Sequence, residues 1–210
     1  MTGFGRTGRF FAMDHISLKP DLFCLSKGLT GGAMALGVTS CTLQIYNAFL
    51  GKQEPSGQNG KLKTFFHGHS FTANPVACAC ALASLDLMEK ALTWNNIERI
   101  IKKHEEFLVH NKNHPKIKEI RQQGTILAIV LNSPMVKIKK NAANKTLSNN
   151  EIQESSYFNS IKTMAYDFFL EKGIILRPLG NVIYIIPPYC ISNKDLKYIY
   201  SSIIEFANSL

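Results

Sequence analysis

An α/β unit followed by a smaller α+β unit is the fold class this sequence predicts, and three observations carry that prediction. Short continuous apolar runs such as Leu22-Phe23-Cys24-Leu25 lead into glycine-rich turns, the pattern of strands buried in an α/β sheet. A long Ala-, Cys- and Leu-rich segment after Asn74-Pro75 reads as a packed helix. From about residue 115 the style changes to strands around a Gly124 turn, then a helix, two apolar runs and a last helix. The boundaries that follow are an α/β portion over 1–95, a connecting helix over 96–114 and a small C-terminal domain over 115–210.

In chain order, Thr2 to Gly8 is a glycine loop with three glycines, which calls for tight backbone and close approach. It has no strand or helix before it, so it reads either as a flexible N-terminus or as the continuation of an upstream half. Residues 22–25 are predicted to be a buried, parallel strand running into Ser26-Lys27-Gly28-Leu29-Thr30-Gly31-Gly32. Residues 35–39 form a second short strand and 42–50 a helix, and 51–64 an exposed loop. Asn74 is the N-cap and Pro75 the first turn of a well-buried helix reaching Lys90. A further helix spans 96–110. Strands lie between 117 and 131, and the Lys- and Asn-rich stretch 132–150 is a surface loop. A helix over 156–171 ends at Gly173 as its C-cap. Residues 174–178 and 182–186 are predicted strands joined by a turn at 179–181. Ser192-Asn193 caps the last helix, which runs to about Ala207.

The composition restricts function. The chain has 210 residues, 45% hydrophobic and 19% charged, which is globular composition with enough length for a core. Lys and Arg exceed Asp and Glu by 24 to 15, but the excess is scattered lysine without an aromatic–basic alternation, so no nucleic-acid interface is expected. No apolar run approaches the roughly 20 residues of a membrane span, and the first residues lack a signal-peptide core. Five cysteines, mostly in apolar surroundings, suit a reducing cytoplasmic setting.

Several residues have chemistry to offer. Lys27 follows a strand end, where ligands of α/β sheets sit. An ammonium against an apolar wall is costly, so a neutral, nucleophilic amine able to condense with an aldehyde is favoured there; a lysine reaching out to water is the alternative. Ser70 and Thr72 stand just before a helix start that attracts anions, or serve as ordinary caps. His67 and His69 have no third ligand at sensible spacing, so no metal is expected. Cys78 and Cys80 point apart on a helix and read as buried small hydrophobes. Arg177 in an apolar stretch wants a carboxylate or phosphate, from a ligand or from a structural ion pair.

Taken together, Thr2 to Gly8, Lys19 to Gly32, Phe66 to Pro75, Gly173 to Gly180 and Tyr184 to Tyr189 resemble, in order, the class III pyridoxal-phosphate aminotransferases. The resemblance covers the C-terminal half of that family's chain. It implies part of the large domain of PLP fold-type I followed by the small domain, with pyridoxal 5'-phosphate as cofactor. It further implies that Lys27 carries the cofactor and shuttles the proton, and that Ser70 reaches the phosphate bound by the neighbouring subunit of a full-length homodimer. Gly68 lines the same pocket, Arg177 binds a substrate carboxylate and Arg6 lies in the pocket. The branch it most resembles moves the amino group of S-adenosylmethionine to 8-amino-7-oxononanoate in biotin synthesis; another ω-amino acid aminotransferase is the alternative. The family carries an Asp-Glu pair just ahead of the glycine loop, whose Asp keeps the cofactor's ring nitrogen protonated. No Asp-Glu pair occurs in this sequence, and Met1 stands before Thr2. The expectation is therefore a chain that is inactive alone or is one half of a split enzyme.

Overall fold

The computed structural model describes residues 2–16, 18–50, 64–132 and 160–210. The expected loop over 51–64 falls outside the described residues except at its end, as do 133–150 of the Lys- and Asn-rich loop and 156–159 of the next helix. The chain divides into two compact units, Met1–Thr93 and Trp94–Leu210.

In the first unit, strand β1 (Leu22–Leu25) pairs antiparallel with β2 (Val38–Cys41), Leu22 opposite Cys41 and Leu25 opposite Val38. The predicted buried parallel strand is corrected here. Phe23 and Leu25 are half-buried while Leu22 and Cys24 are exposed, the alternation of a strand with one covered face. Between the strands the chain makes a 3-10 turn, Lys27–Thr30, and helix α1 (Leu43–Ala48) follows β2.

Helix α2 (Pro75–Met88) starts as its sequence dictates. The Asn74 side-chain oxygen accepts from the amides of Val76 (3.0 Å) and Ala77 (3.2 Å), and Pro75 occupies the first turn, where its missing N–H costs nothing. Its burial is narrower than predicted. Ala77, Ala81 and Met88 form one covered stripe, whereas Val76, Leu82 and Leu87 are exposed. A segment apolar all round has no periodicity by which to tell its packed face. Cys78 is exposed and Cys80 half-buried, so the buried-hydrophobe reading of that pair also fails, and Cys24, Cys41 and Cys190 are exposed too. The core of this unit is small: Phe4, Leu29 and Ala81, flanked by Phe10, Phe11, Leu25, Leu36 and Leu85.

The second unit is an α+β sandwich. Helix α3 (Ala91–Asn111), which straddles the division between units, precedes an antiparallel sheet of order β3 (Ile117–Gln123), β4 (Ile126–Leu131) and β5 (Val182–Ile185). Helices α4 (Ser160–Glu171) and α5 (Asn193–Ser209) complete it. Leu127, Ile129 and Leu131 of β4 and Ile183 and Ile185 of β5 share one buried face, with Leu127 opposite Ile185 and Ile129 opposite Ile183. Against that face pack Phe107 of α3, Ile161, Ala165 and Phe169 of α4, and Ile203 and Phe206 of α5. Burial of six or more large side chains in one layer is the main stabilising contribution, at about 1.5–3 kcal/mol each.

Local chemistry sets the helix ends. After α4, the amide of Gly173 donates to Leu170 O (2.9 Å) and that of Ile174 to Phe169 O (2.8 Å), with Gly173 at φ 71°. This double bond is the glycine C-cap the sequence predicts. Ser192 caps α5 by accepting from the Asp195 amide at 3.0 Å. Arg99 of α3 grips the same end, donating to the Asn193 side chain (2.7 Å) and the Ile191 carbonyl (2.6 Å).

One predicted strand is absent. Residues 174–178 are not in a strand; the chain rejoins the ladder only through a Leu179–Val182 bridge. Pro178 has no N–H to give a neighbour, and Ile174 is instead drawn in beneath the end of α4.

Candidate functional site

Lys27 opens the 3-10 turn that follows β1. Its side chain is exposed, so the apolar wall expected around it is not found among the described residues. What sets it apart is its backbone. Lys27 has φ 53°, in the left-handed region that a residue with a Cβ enters at a cost of roughly 1–2 kcal/mol. The turn is tied on both sides. Ser26 Oγ donates to Leu36 O (2.9 Å), Thr30 Oγ1 donates to Met34 O (2.6 Å), and Ser84 Oγ on α2 donates to Gly28 O (3.3 Å). Buried Leu29 and Thr30 anchor it below, and Gly31 and Gly32, at φ 63° and 87°, carry the chain away.

The glycine loop at the N-terminus closes against this turn. Phe4 is buried and left-handed at φ 57°, and its ring lies against Gly28. Around it, Gly5 N donates to Phe10 O (3.3 Å) and Gly8 N to Gly5 O (3.0 Å), a tight path that only a glycine-rich segment follows. Phe10 and Phe11 meet Phe4 edge-on, each with centroids 5.8 Å away. The loop thus brings half-buried Arg6 into the same unit, on the segment packed over the Lys27 turn.

Ser70 and Gly68 lie in the exposed stretch leading to α2. Here the His69 amide donates to Thr72 Oγ1 (3.0 Å) and the Phe71 amide to His69 Nδ1 (3.1 Å). Among the described residues, a side chain at Gly68 would meet only Thr72 Oγ1, at 4.0 Å, so the space they leave beside it is open. No hydrogen bond joins Ser70 to Lys27 among the described residues. Among them, too, no three His, Cys, Asp or Glu side chains cluster to hold a metal ion, and no helix is long and apolar enough to cross a membrane.

Arg177 belongs to the second unit. It is exposed between half-buried Leu176 and buried Pro178, and no acidic or hydrogen-bonding partner is recorded for it among the described residues. The structural ion pair that a guanidinium in an apolar stretch suggests is not found among the described residues. Ile175, two residues earlier, is 86% exposed. An accessible guanidinium beside an accessible aliphatic chain matches a ligand with a carboxylate on a hydrocarbon stem.

Within the first unit, an amine on a braced turn and a hydroxyl with an open glycine ahead of a helix N-terminus have the chemistry to take an aldehyde and a phosphoryl group; in the second unit, an accessible guanidinium has the chemistry to take a carboxylate. The supporting residues Phe4 and Ser84 had no chemical motif to announce them. The only signal was an aromatic set between two glycines, at Gly3-Phe4-Gly5.

The aminotransferase class-III family model matches residues 1–206. The adenosylmethionine-8-amino-7-oxononanoate aminotransferase of Synechococcus elongatus is 37% identical over 210 residues, 100% of this chain and 43% of the relative. That of Methanocaldococcus jannaschii is 36% identical over 208 residues, 97% of this chain and 41% of the relative. The crystal structure of the Methanocaldococcus jannaschii enzyme superposes with a TM-score of 0.78 at 34% identity, covering 99% of this chain and 44% of that one. An (S)-enantioselective omega-transaminase from Thermomicrobium roseum shares the fold, at a TM-score of 0.75 and 24% identity over 99% of this chain and 41% of its own. The chain thus spans less than half the length of the relatives it matches.

Proposed function

The chain belongs to the pyridoxal-phosphate-dependent class III aminotransferases, and we propose on that premise that it supplies the Lys27-bearing portion of an enzyme moving an amino group from S-adenosylmethionine to 8-amino-7-oxononanoate. The observation that carries the reading is the exposed Lys27 amine on a turn locked in a left-handed conformation. Strain of that kind persists where the surroundings over-determine it, and it gathers at reacting groups. The choice of substrates rests on relatives named for that activity, 36–37% identical over nearly all of this chain.

Each residue then has a task. Lys27 Nζ would hold the cofactor through its aldehyde carbon, with loss of water, and as a free amine would accept and return the proton moved during transfer. Ser70, beside the open space at Gly68, donates to the phosphate of the neighbouring subunit's cofactor in a homodimer. Arg177 holds the keto acid's carboxylate, and Arg6 lines the pocket above the Lys27 turn. Pyridoxal phosphate, when bound, supplies the electron sink for the reaction.

Formation of 7,8-diaminononanoate from the two substrates tests the reading, with the chain assayed alone and with the N-terminal portion of a relative supplied in trans. Product in either arm supports it. A folded chain that yields product from neither, while an unrelated ω-amino acid is transaminated, overturns the substrate assignment.

Arg177 provides a second check. Arg177→Ala removes a charge-assisted hydrogen bond, so the KM for 8-amino-7-oxononanoate should rise roughly 10- to 100-fold while that for S-adenosylmethionine stays within about twofold. Equal effects on both substrates would identify a structural arginine instead.

A further inference from the structure

We propose that Phe4 is a positioning residue for Lys27, acting through Gly28; the proposal rests on the reading of Lys27 given above. A side chain built on Gly28 would stand 3.0 Å from Phe4 Cδ2 and 3.4 Å from its Cβ and Cγ. The first of these distances is tighter than nearly all real Cβ contacts, so the Phe4 ring would have to give way by a few tenths of an ångström. The aromatic at 4 and the missing side chain at 28 are therefore a matched pair. Phe4 cannot readily yield, because Phe10 and Phe11 hold its ring edge-on from two directions and Leu29 and Ala81 close the cluster beneath it. Its own backbone is left-handed, at φ 57°.

Gly28 is bonded directly to Lys27, so the height of its α-carbon sets the direction of the Lys27 Cα–Cβ bond. From above, the Phe4 ring limits that height. From α2, the Ser84 hydroxyl draws the Gly28 carbonyl at 3.3 Å. Between them they maintain the left-handed φ of 53° at Lys27, which no intrinsic preference of a lysine would keep. A misplacement of about 1 Å at a reacting group is enough to cost on the order of 100-fold in rate, so such a clamp has a large effect for a small movement.

The test uses the chain labelled with carbon-13 and nitrogen-15 at lysine. The Lys27 backbone shifts and amide coupling report the left-handed conformation, and reductive trapping of pyridoxal phosphate, mapped by peptide mass, reports its chemistry. Gly28→Ala is expected to erase the left-handed signature and to lower trapping on Lys27 about tenfold. Phe4→Ala combined with Gly28→Ala is expected to recover at least about half of both, since touching residues couple non-additively. Should Gly28→Ala fail to fold by circular dichroism, Phe4→Leu decides: it keeps the cluster filled but removes the ring, and it should shift the Lys27 signature with the fold intact. An unchanged Lys27 signature in a folded Gly28→Ala or Phe4→Leu chain overturns the proposal. A wild-type chain that traps the cofactor on some other lysine sinks the assignment of Lys27 itself, while the backbone signature still decides whether Phe4 positions it.

Discussion

Lys27→Ala is expected to abolish amine transfer, by at least about 10⁴-fold in kcat, because one side chain would be lost both as covalent anchor and as proton carrier. Lys27→Arg should fare no better: a guanidinium stays charged at any accessible pH and offers no free amine. Lys27→Gly separates function from structure more sharply. The lysine is exposed, so its removal uncovers no core, and glycine adopts a φ of 53° without steric cost. The Gly variant should be as stable as the parent or more so, by up to about 1 kcal/mol, yet inactive. Thermal melts of the three variants, with borohydride trapping of pyridoxal phosphate on the parent, check this. A Lys27→Gly chain that melts well below the parent would show that the left-handed lysine is a structural necessity and not stored strain at a reacting group.

The turn that holds Lys27 was partly legible from sequence and partly not. A lysine between a short apolar run and a glycine cluster marks a strand end with a tight loop, and the structure has both. Its exposure was not legible, because the same run that reads as a buried strand is here one half of an antiparallel pair. Composition reports how apolar a strand is; it does not report what covers it. The clamp over Gly28 was invisible for a different reason, since a glycine's neighbours are set by tertiary approach and leave no pattern in the residues on either side.

Signals that work over a few residues transferred well. Asn74-Pro75, Gly173 and Ser192 end or begin helices where the sequence places them, because capping is chemistry between a side chain or a glycine and its own helix. The strands on either side of Gly124 also stand, their alternation matching a sheet covered on one face. Residues 174–178 failed because five apolar-flanked positions outweighed one proline in the reading, whereas in the sheet one missing N–H decides. Helix α2 formed as expected but buried only a stripe, since an all-apolar segment looks the same however much of it is packed.

Acid is expected to unfold the second unit through His104, a residue with no mark in the sequence and a partner 96 residues away. His104 on α3 is fully buried. Its Nε2 lies 3.2 Å from the Thr125 carbonyl, which can only accept, so Nε2 carries the hydrogen. Nδ1 is then the acceptor for the Tyr200 hydroxyl at 2.5 Å, and the neutral ring links α3, the β3–β4 turn and α5. Burial disfavours the imidazolium and lowers the His104 pKa from 6.5 to about 4, the Thr125 bond opposing this in part. Burial, with the Glu106 charge adding to it, likewise raises the Tyr200 phenol above its usual range, so it remains a donor. The sign follows. Between pH 6.5 and 4 the unfolded chain binds a proton that the folded chain refuses, so stability is complete above pH 6.5 and falls as pH drops toward 4. The full loss is about 3 kcal/mol. Urea unfolding at pH 7 and pH 4.5, compared with His104→Gln, isolates this contribution from the carboxylates that titrate nearby. The parent should lose more stability than the variant by about 2–3 kcal/mol. Tyr200→Phe, which strands Nδ1 without a donor, should cost about 1–3 kcal/mol at pH 7. Parallel pH profiles for the parent and His104→Gln would mean that the ring is protonated in the folded chain, and the neutral bridge between the three elements would have to be abandoned.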